Sequence, residues 1–143
     1  QAVGFVNERV WGTLCATLVV HPRTVADRHL GPGVDRAIAN LRYGAVGVNV
    51  WPALLRSLAS PPWGAHPGSS MSDIQSGRGW VHNTFMLEEV EKSVVHQSVT
   101  SKRRPPYHPG HRSAHILLRR LSALERGPGW ARLPGVLDAA FRG

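Results

Sequence analysis

With 143 residues, the chain is long enough for one ordinary domain that buries roughly two thirds of its unfolded surface. Lys and Arg number 17 against 9 Asp and Glu, a formal charge of +8, but this basic excess is confined to one end. A single cysteine, Cys15, excludes an internal disulfide framework, and with no apolar run of spanning length and no visible signal peptide, a cytoplasmic location is the expectation.

The chain opens on Gln1 with Val3, Val6 and Val10 at helical spacing and no capping residue ahead of them, as if entered partway through a helix. Gly12 breaks that pattern. Thr13 to Val20 is dense in β-formers and reads as a strand buried on both faces, stopped by His21 and Pro22. After a loop holding Gly31, Pro32 and Gly33, the apolar residues Val34, Ala37, Ile38 and Leu41 line one helix face, and Gly44 is placed to end that helix. Ala45 to Trp51 is a second buried strand. Strand, helix, strand in that order predicts a right-handed crossover in a mostly parallel sheet, so the fold class is α/β, a partial three-layer sheet with a C-terminal helical tail.

Residues 52 to 58 read as a short helix, and the Pro- and Gly-rich run from Pro61 to Gly79 as an irregular loop of the length that usually serves function or stays disordered. A helical turn is expected over Met86 to Glu91 and a strand near 92 to 99. The charge run and prolines from Lys102 to Pro106 mark a linker between residues 1–100 and 101–143. Residues from Ser101 onward hold 9 basic and 2 acidic side chains, whereas residues up to 100 hold 8 and 7. Ala114, Leu117, Leu118, Leu121 and Leu124 then define an amphipathic helix, followed by a Gly-Pro-Gly turn and a last helix over Pro134 to Phe141.

Arg42 to Gly79 carries a family resemblance. The helix end "RYG", the strand "AVGVNVW" and the loop with "SPPWGA" and "IQSGRG" resemble the aldehyde dehydrogenase segment in which a strand ending in Val-Asn precedes a Pro-Phe-Gly-Gly turn and a Ser-Gly loop. Upstream "VNERVWGTLCATLVV" and downstream "VEKSVV" resemble the flanking strands of the same family, so the likeness runs over about residues 3–97. The order and spacing of these motifs together carry the resemblance. The basic tail after Ser101 resembles an extension carried by a bacterial subfamily.

The resemblance implies that Asn49 ends a strand beside the substrate pocket, and that Trp63, Gly64, Ser76 and Gly77 belong to the turn and loop near cofactor and substrate. Trp51, Trp63 and Trp80, set among Gly and Pro, suit pocket walls, with core packing the rival reading. Two departures stand out: Trp63 replaces Phe, and Ala65 replaces the second Gly. The family oxidises an aldehyde through a thiolate, hydride transfer to NAD or NADP, and a Glu-activated water. Its nucleophile, base and cofactor domain precede the region represented here. The chain alone is therefore expected to be catalytically incompetent, to hold no NAD(P) tightly, and to need the N-terminal part of the enzyme as its partner. The aldehyde and the choice between NAD and NADP are not encoded in this segment.

Cys15 lies inside a β run, away from any helix N-terminus that would activate it, and reads as a small buried apolar residue rather than a nucleophile. His108, His111 and His115 have metal-like spacing but no thiol or carboxylate nearby, so no metal is expected. The basic tail reads as linker plus docking helix. Nucleic-acid binding, which would centre on Arg103 and Arg104, is disfavoured because only Tyr107 offers an aromatic near the charge run. The Ser93 to Val99 strand corresponds to the one the family adds to a partner subunit, which implies a homo-oligomer. The alternatives to a dehydrogenase fragment are a non-enzymatic remnant serving as an oligomerisation or binding module, and a basic nucleic-acid-associated protein.

Overall fold

A computed structural model describes residues 1–99, 104–106, 108 and 110–142 and divides the chain into two compact units, Gln1–Val99 and Thr100–Gly143. The run Lys102–Arg103 and Tyr107 lie outside the described residues.

In the first unit, helix α1 (Ala2–Arg9) leads to strand β1 (Cys15–Leu18), a short helix α2 (Pro22–Ala26), helix α3 (Gly31–Asn40) and strand β2 (Ala45–Val48). A 3-10 turn, Pro52–Ser57, follows. The two-residue strands β3 (Trp63–Gly64) and β4 (Trp80–Val81) pair antiparallel, and β5 (Ser93–His96) closes the unit. β1, β2 and β5 form one parallel sheet in the order β1-β2-β5, with Cys15 beside Ala45 and Ala45 beside Ser93. The mixed α/β class is thus observed, built on a three-stranded parallel sheet.

β2 is central and buried at every residue, because neighbours hydrogen-bond both its edges. Its Val46 packs with Leu41 and Tyr43, and Val3, Val6, Ala16, Leu18 and Ile38 close around them, so α1 and α3 cover one face of the sheet. Burying side chains of this size contributes about 1.5–3 kcal/mol each. The opposite face meets the chain that follows β2, where the Val50 carbonyl and Pro52 lie directly over Gly47.

Several expectations need correction. β1 is shorter than Thr13 to Val20 and only half-buried, because it is an edge strand and Val19 already points to solvent at 83% exposure. Likewise β2 ends at Val48, since Asn49 turns into the left-handed region with φ 59°. His21 and Pro22 start a helix rather than merely stopping a strand: His21 Nδ1 accepts from the Arg23 amide at 3.1 Å, and Pro22 supplies a preset first-turn φ. α3 includes Gly31, Pro32 and Gly33, for the Asp27 carboxylate accepts from the His29 and Leu30 amides and launches it early. No helical element forms over Met86 to Glu91, which holds a turn and then irregular chain. The long loop keeps its irregular character except for the β3–β4 pair.

In the second unit, helix α4 (Ala114–Arg126) packs on helix α5 (Leu133–Phe141) through Leu117, Val136 and Ala139, with Ile116, Leu121, Leu124 and Ala140 around them. Arg132 reaches back to the Ala123 and Gly127 carbonyls and so caps α4, a favourable site for a cation at the negative end of a helix. Among the described residues no helix is long and apolar enough to cross a membrane.

Candidate functional site

The residues that sequence reasoning grouped as one pocket fall at two ends of the sheet. Asn49 and Trp51 follow β2, at its C-terminal end. Asn49 spends its amide on the neighbouring chain: Oδ1 accepts from the Val20 amide at 2.8 Å and Nδ2 donates to the Val20 carbonyl at 3.0 Å. That pair of bonds locks the end of β1 to the end of β2. Trp51 is 58% exposed.

Trp63, Gly64, Ser76 and Gly77 lie at the other end. Trp63 pairs with Val81, and Gly64 is packed under the Trp80 ring and the Gly79 carbonyl. Ser76 Oγ accepts from the Thr13 amide at 2.8 Å, and Gln75 Oε1 from the Gly12 amide at 3.2 Å. Gly77 follows in the left-handed region at φ 116°. The five residue steps of chain from Gly44 to Asn49 separate the ends by about 16 Å.

The N-terminal end is where a cavity forms. An open cleft of about 490 Å³ is lined by the end of α1 and the residues after it, including Asn7, Glu8, Trp11 and Thr13, and by the loop from His66 to Gln75. Ser76 and Gln75 therefore hold the loop against the start of β1, and the loop forms one wall of the cleft. Behind that wall Gly77 lines a smaller hollow of about 210 Å³. Asn7 ties the opposite wall down, donating from Nδ2 to the Asn40 carbonyl at 2.8 Å and accepting the Arg42 amide at 2.9 Å. Glu8 pairs with Arg42 across the cleft's rim.

A charged cluster missed by sequence reasoning braces this end. Lys92 Nζ donates to the Ala39 and Leu41 carbonyls at 2.7 Å each, capping α3, and meets Glu91 Oε1 at 2.8 Å. His66 Nε2 approaches the same carboxylate oxygen at 3.2 Å. The Lys92 and then the His66 hydrogen bonds hold the Glu91 carboxyl below the ordinary glutamate range. Stability from a depressed carboxyl is present in full above its unfolded pKa and drains away as pH falls through the folded value. Unfolding midpoints of the wild type are therefore expected to fall on acidification through that window. Glu91→Gln should flatten this dependence in a urea titration repeated across pH; an unchanged slope would remove the cluster from the acid response. The signal available in the sequence was the "EKS" triplet at a strand's start, which fixes Lys92 there but does not say what lies opposite.

Cys15 is half-buried, and desolvation pushes its thiol above the ordinary cysteine value, the reverse of an activated nucleophile. The three histidines do not converge. His108 Nδ1 accepts from the Gly110 amide, His111 is buried with Nε2 on the Ala140 carbonyl, and His115 is exposed. Among the described residues no group of His, Cys, Asp and Glu is placed to hold a metal ion. No protein-family model, curated protein or solved structure matches the chain.

Proposed function

We propose that the chain forms one wall of the catalytic cavity of an NAD(P)-dependent aldehyde dehydrogenase, with the reactive thiolate, the base and the dinucleotide supplied by polypeptide outside it. The observation that carries this reading is the loop from His66 to Gln75, pinned by Ser76 and Gln75 to the start of β1 and forming one side of the 490 Å³ cleft. A long irregular loop held this firmly on a parallel sheet is an ordinary way to build a binding wall. The only thiol in the chain, Cys15, lies in β1 and does not line the cleft, and desolvation pushes it above the ordinary cysteine value, so this reading takes the nucleophile from elsewhere. On this reading Gly64 and Trp63 shape the turn behind the wall, and Asn49 fixes the far end of the sheet that supports it.

The same proposal assigns β5 an oligomeric role. One of its edges pairs with β2, and the opposite edge faces no strand among the described residues. An edge of this kind accepts a strand from a second subunit.

The test is a chimera in which residues 3–97 replace the equivalent segment of a working aldehyde dehydrogenase. Aldehyde-dependent NAD(P)H formation is expected from the chimera, and none from this chain alone. A chimera that folds and binds dinucleotide but shows no turnover would count against the assignment. Turnover by the isolated chain that vanishes in Cys15→Ser would overturn it.

A further inference from the structure

The nine basic residues after residue 100 are not equivalent. Arg132 caps α4, Arg120 and Arg142 pair with Asp138, and Arg104, on which the disfavoured nucleic-acid alternative would have relied, donates to the Gly110 carbonyl. Among the described residues Arg112, Arg119 and Arg126 make no such contact, and all three are exposed. Their spacing is seven residues, which on an α-helix is two turns less about 20°. Arg119 and Arg126 thus stand on one line of α4, and Arg112 lies two residues ahead of the helix, before the non-helical Ser113. Arg119 and Arg126 are about 10 Å apart along the helix axis. His115 and Ser122 share the same face, at three residues from Arg112 and Arg119, and both are exposed.

This line points directly away from the core. Leu117, Leu121 and Leu124 occupy the opposite side of α4 against α5, so the helix needs nothing on its outer face to fold. We infer that the outer face of α4 is a docking ridge for the phosphate backbone of double-helical nucleic acid, contacted by Arg112, Arg119 and Arg126 without reading sequence. Charge complementarity selects the partner: three exposed guanidinium groups with no partner among the described residues, on a segment with 9 basic and 2 acidic residues, meet a polymer whose charges are regularly spaced. A bilayer surface fits less well, because a membrane-bound helix sets an apolar face below its basic flanks, and apart from the exposed Leu118 the leucines of α4 pack toward α5. A single-stranded partner fits less well too, since no aromatic residue interleaves the three arginines for base stacking.

The test is fluorescence anisotropy of the full chain with a duplex oligonucleotide of about 25 base pairs. Three neutralised phosphates predict a log–log salt slope of about −2.7, a loss of roughly 40-fold between about 50 and 200 mM salt. The triple variant Arg112→Gln, Arg119→Gln, Arg126→Gln is expected to flatten that slope by about 2–3 and lose at least about tenfold in affinity at low salt. A charge-matched control, Arg23→Gln, Arg28→Gln, Arg36→Gln, removes three exposed arginines of the first unit and should leave the slope nearly unchanged. Circular dichroism of both variants checks that the helices remain. Equal effects from the two triple variants would overturn the ridge by showing that net charge alone is at work. So would tighter binding to phosphatidylserine vesicles than to the duplex, or no duplex binding at low salt.

Discussion

Replacing Lys92 with Met is expected to destabilise the first unit by roughly 3 kcal/mol, one of the two largest single-residue effects anticipated in this chain. The Lys92 side chain is 11% exposed, and its ammonium meets the last carbonyls of α3 together with Glu91. Hydrogen bonds to a charged group contribute about 1.5–3 kcal/mol each in favourable cases, and a cation at a helix C-terminus adds up to about 2 kcal/mol. The sum overstates the loss, because Asn40 and Arg42 are exposed and water can reach part of this helix end once the lysine has gone. Met keeps the packing of the aliphatic stem, so the deficit measures the charged head. Four of the five tryptophans, Trp11, Trp51, Trp63 and Trp80, lie in the first unit, and urea unfolding followed by their fluorescence reads the change. Lys92→Arg should recover part of it. A Met variant within about 1 kcal/mol of wild type would show that the three carbonyls are served equally well by solvent.

The parts of the fold that could be read from the sequence are those in which one residue's neighbours along the chain decide its state. The α3 stripe of Val34, Ala37 and Ile38 and the β-branched run of β2 announced a helix and a central strand, and both formed. The α4 stripe behaved likewise, because Leu117, Leu121 and Leu124 meet α5, a helix separated from the end of α4 by only six residues. Strand ends were misjudged where a long-range bond sets them. Val50 and Trp51 are as β-prone as Val46, yet β2 stops at Val48 because Asn49 turns left-handed to bond Val20, a residue 29 positions upstream. α2 escaped notice because His21 and Pro22 carry two meanings: they end β1 and cap a helix at once.

The cleft was less legible than the elements around it. Asn49, Trp51, Trp63, Gly64, Ser76 and Gly77 all lie in the segment that resembles an aldehyde dehydrogenase, but a four-residue strand between Asn49 and Gly44 sets the two groups at opposite ends of the sheet. Sequence proximity had merged them. The residues that fix the cleft's wall, Ser76 and Gln75, act on Gly12 and Thr13, a closure across 63 positions that no local pattern signals. Lys92 and Glu91 were similarly hidden, since their partners sit on α3 and on His66.

Gly44→Ala is expected to cost about 3 kcal/mol, and the reason differs from the one its position suggests. As the residue after a helix, Gly44 looks like a terminator, but α3 already ends at Asn40 and Leu41 is extended. What Gly44 supplies is the absence of a Cβ: a methyl there would lie 2.0 Å from the Gly64 carbonyl oxygen and 2.7 Å from the Ala65 carbonyl carbon. Both obstacles are backbone, so no rotamer change relieves them. The turn holding Trp63, Gly64 and Ala65 would have to move away from β2. That movement opposes the Gly44 amide and His66 amide bonds to the Thr13 carbonyl, at 2.9 and 3.0 Å, and the β3–β4 pair behind them. Gly4→Ala provides the opposite case within the same unit, since nothing lies within 4 Å of its added methyl and it sits on the exposed side of α1. That change should gain about 0.5–1 kcal/mol from helix propensity. Urea midpoints shifting in opposite directions for the two alanines would establish close backbone approach as the constraint on the Trp63–Ala65 turn. In the chimera, Gly44→Ala is further expected to lower turnover at temperatures where the protein stays folded, because the displaced turn leads directly into His66 and the cleft wall. Full turnover in a folded Gly44→Ala chimera would separate this turn from the catalytic cavity.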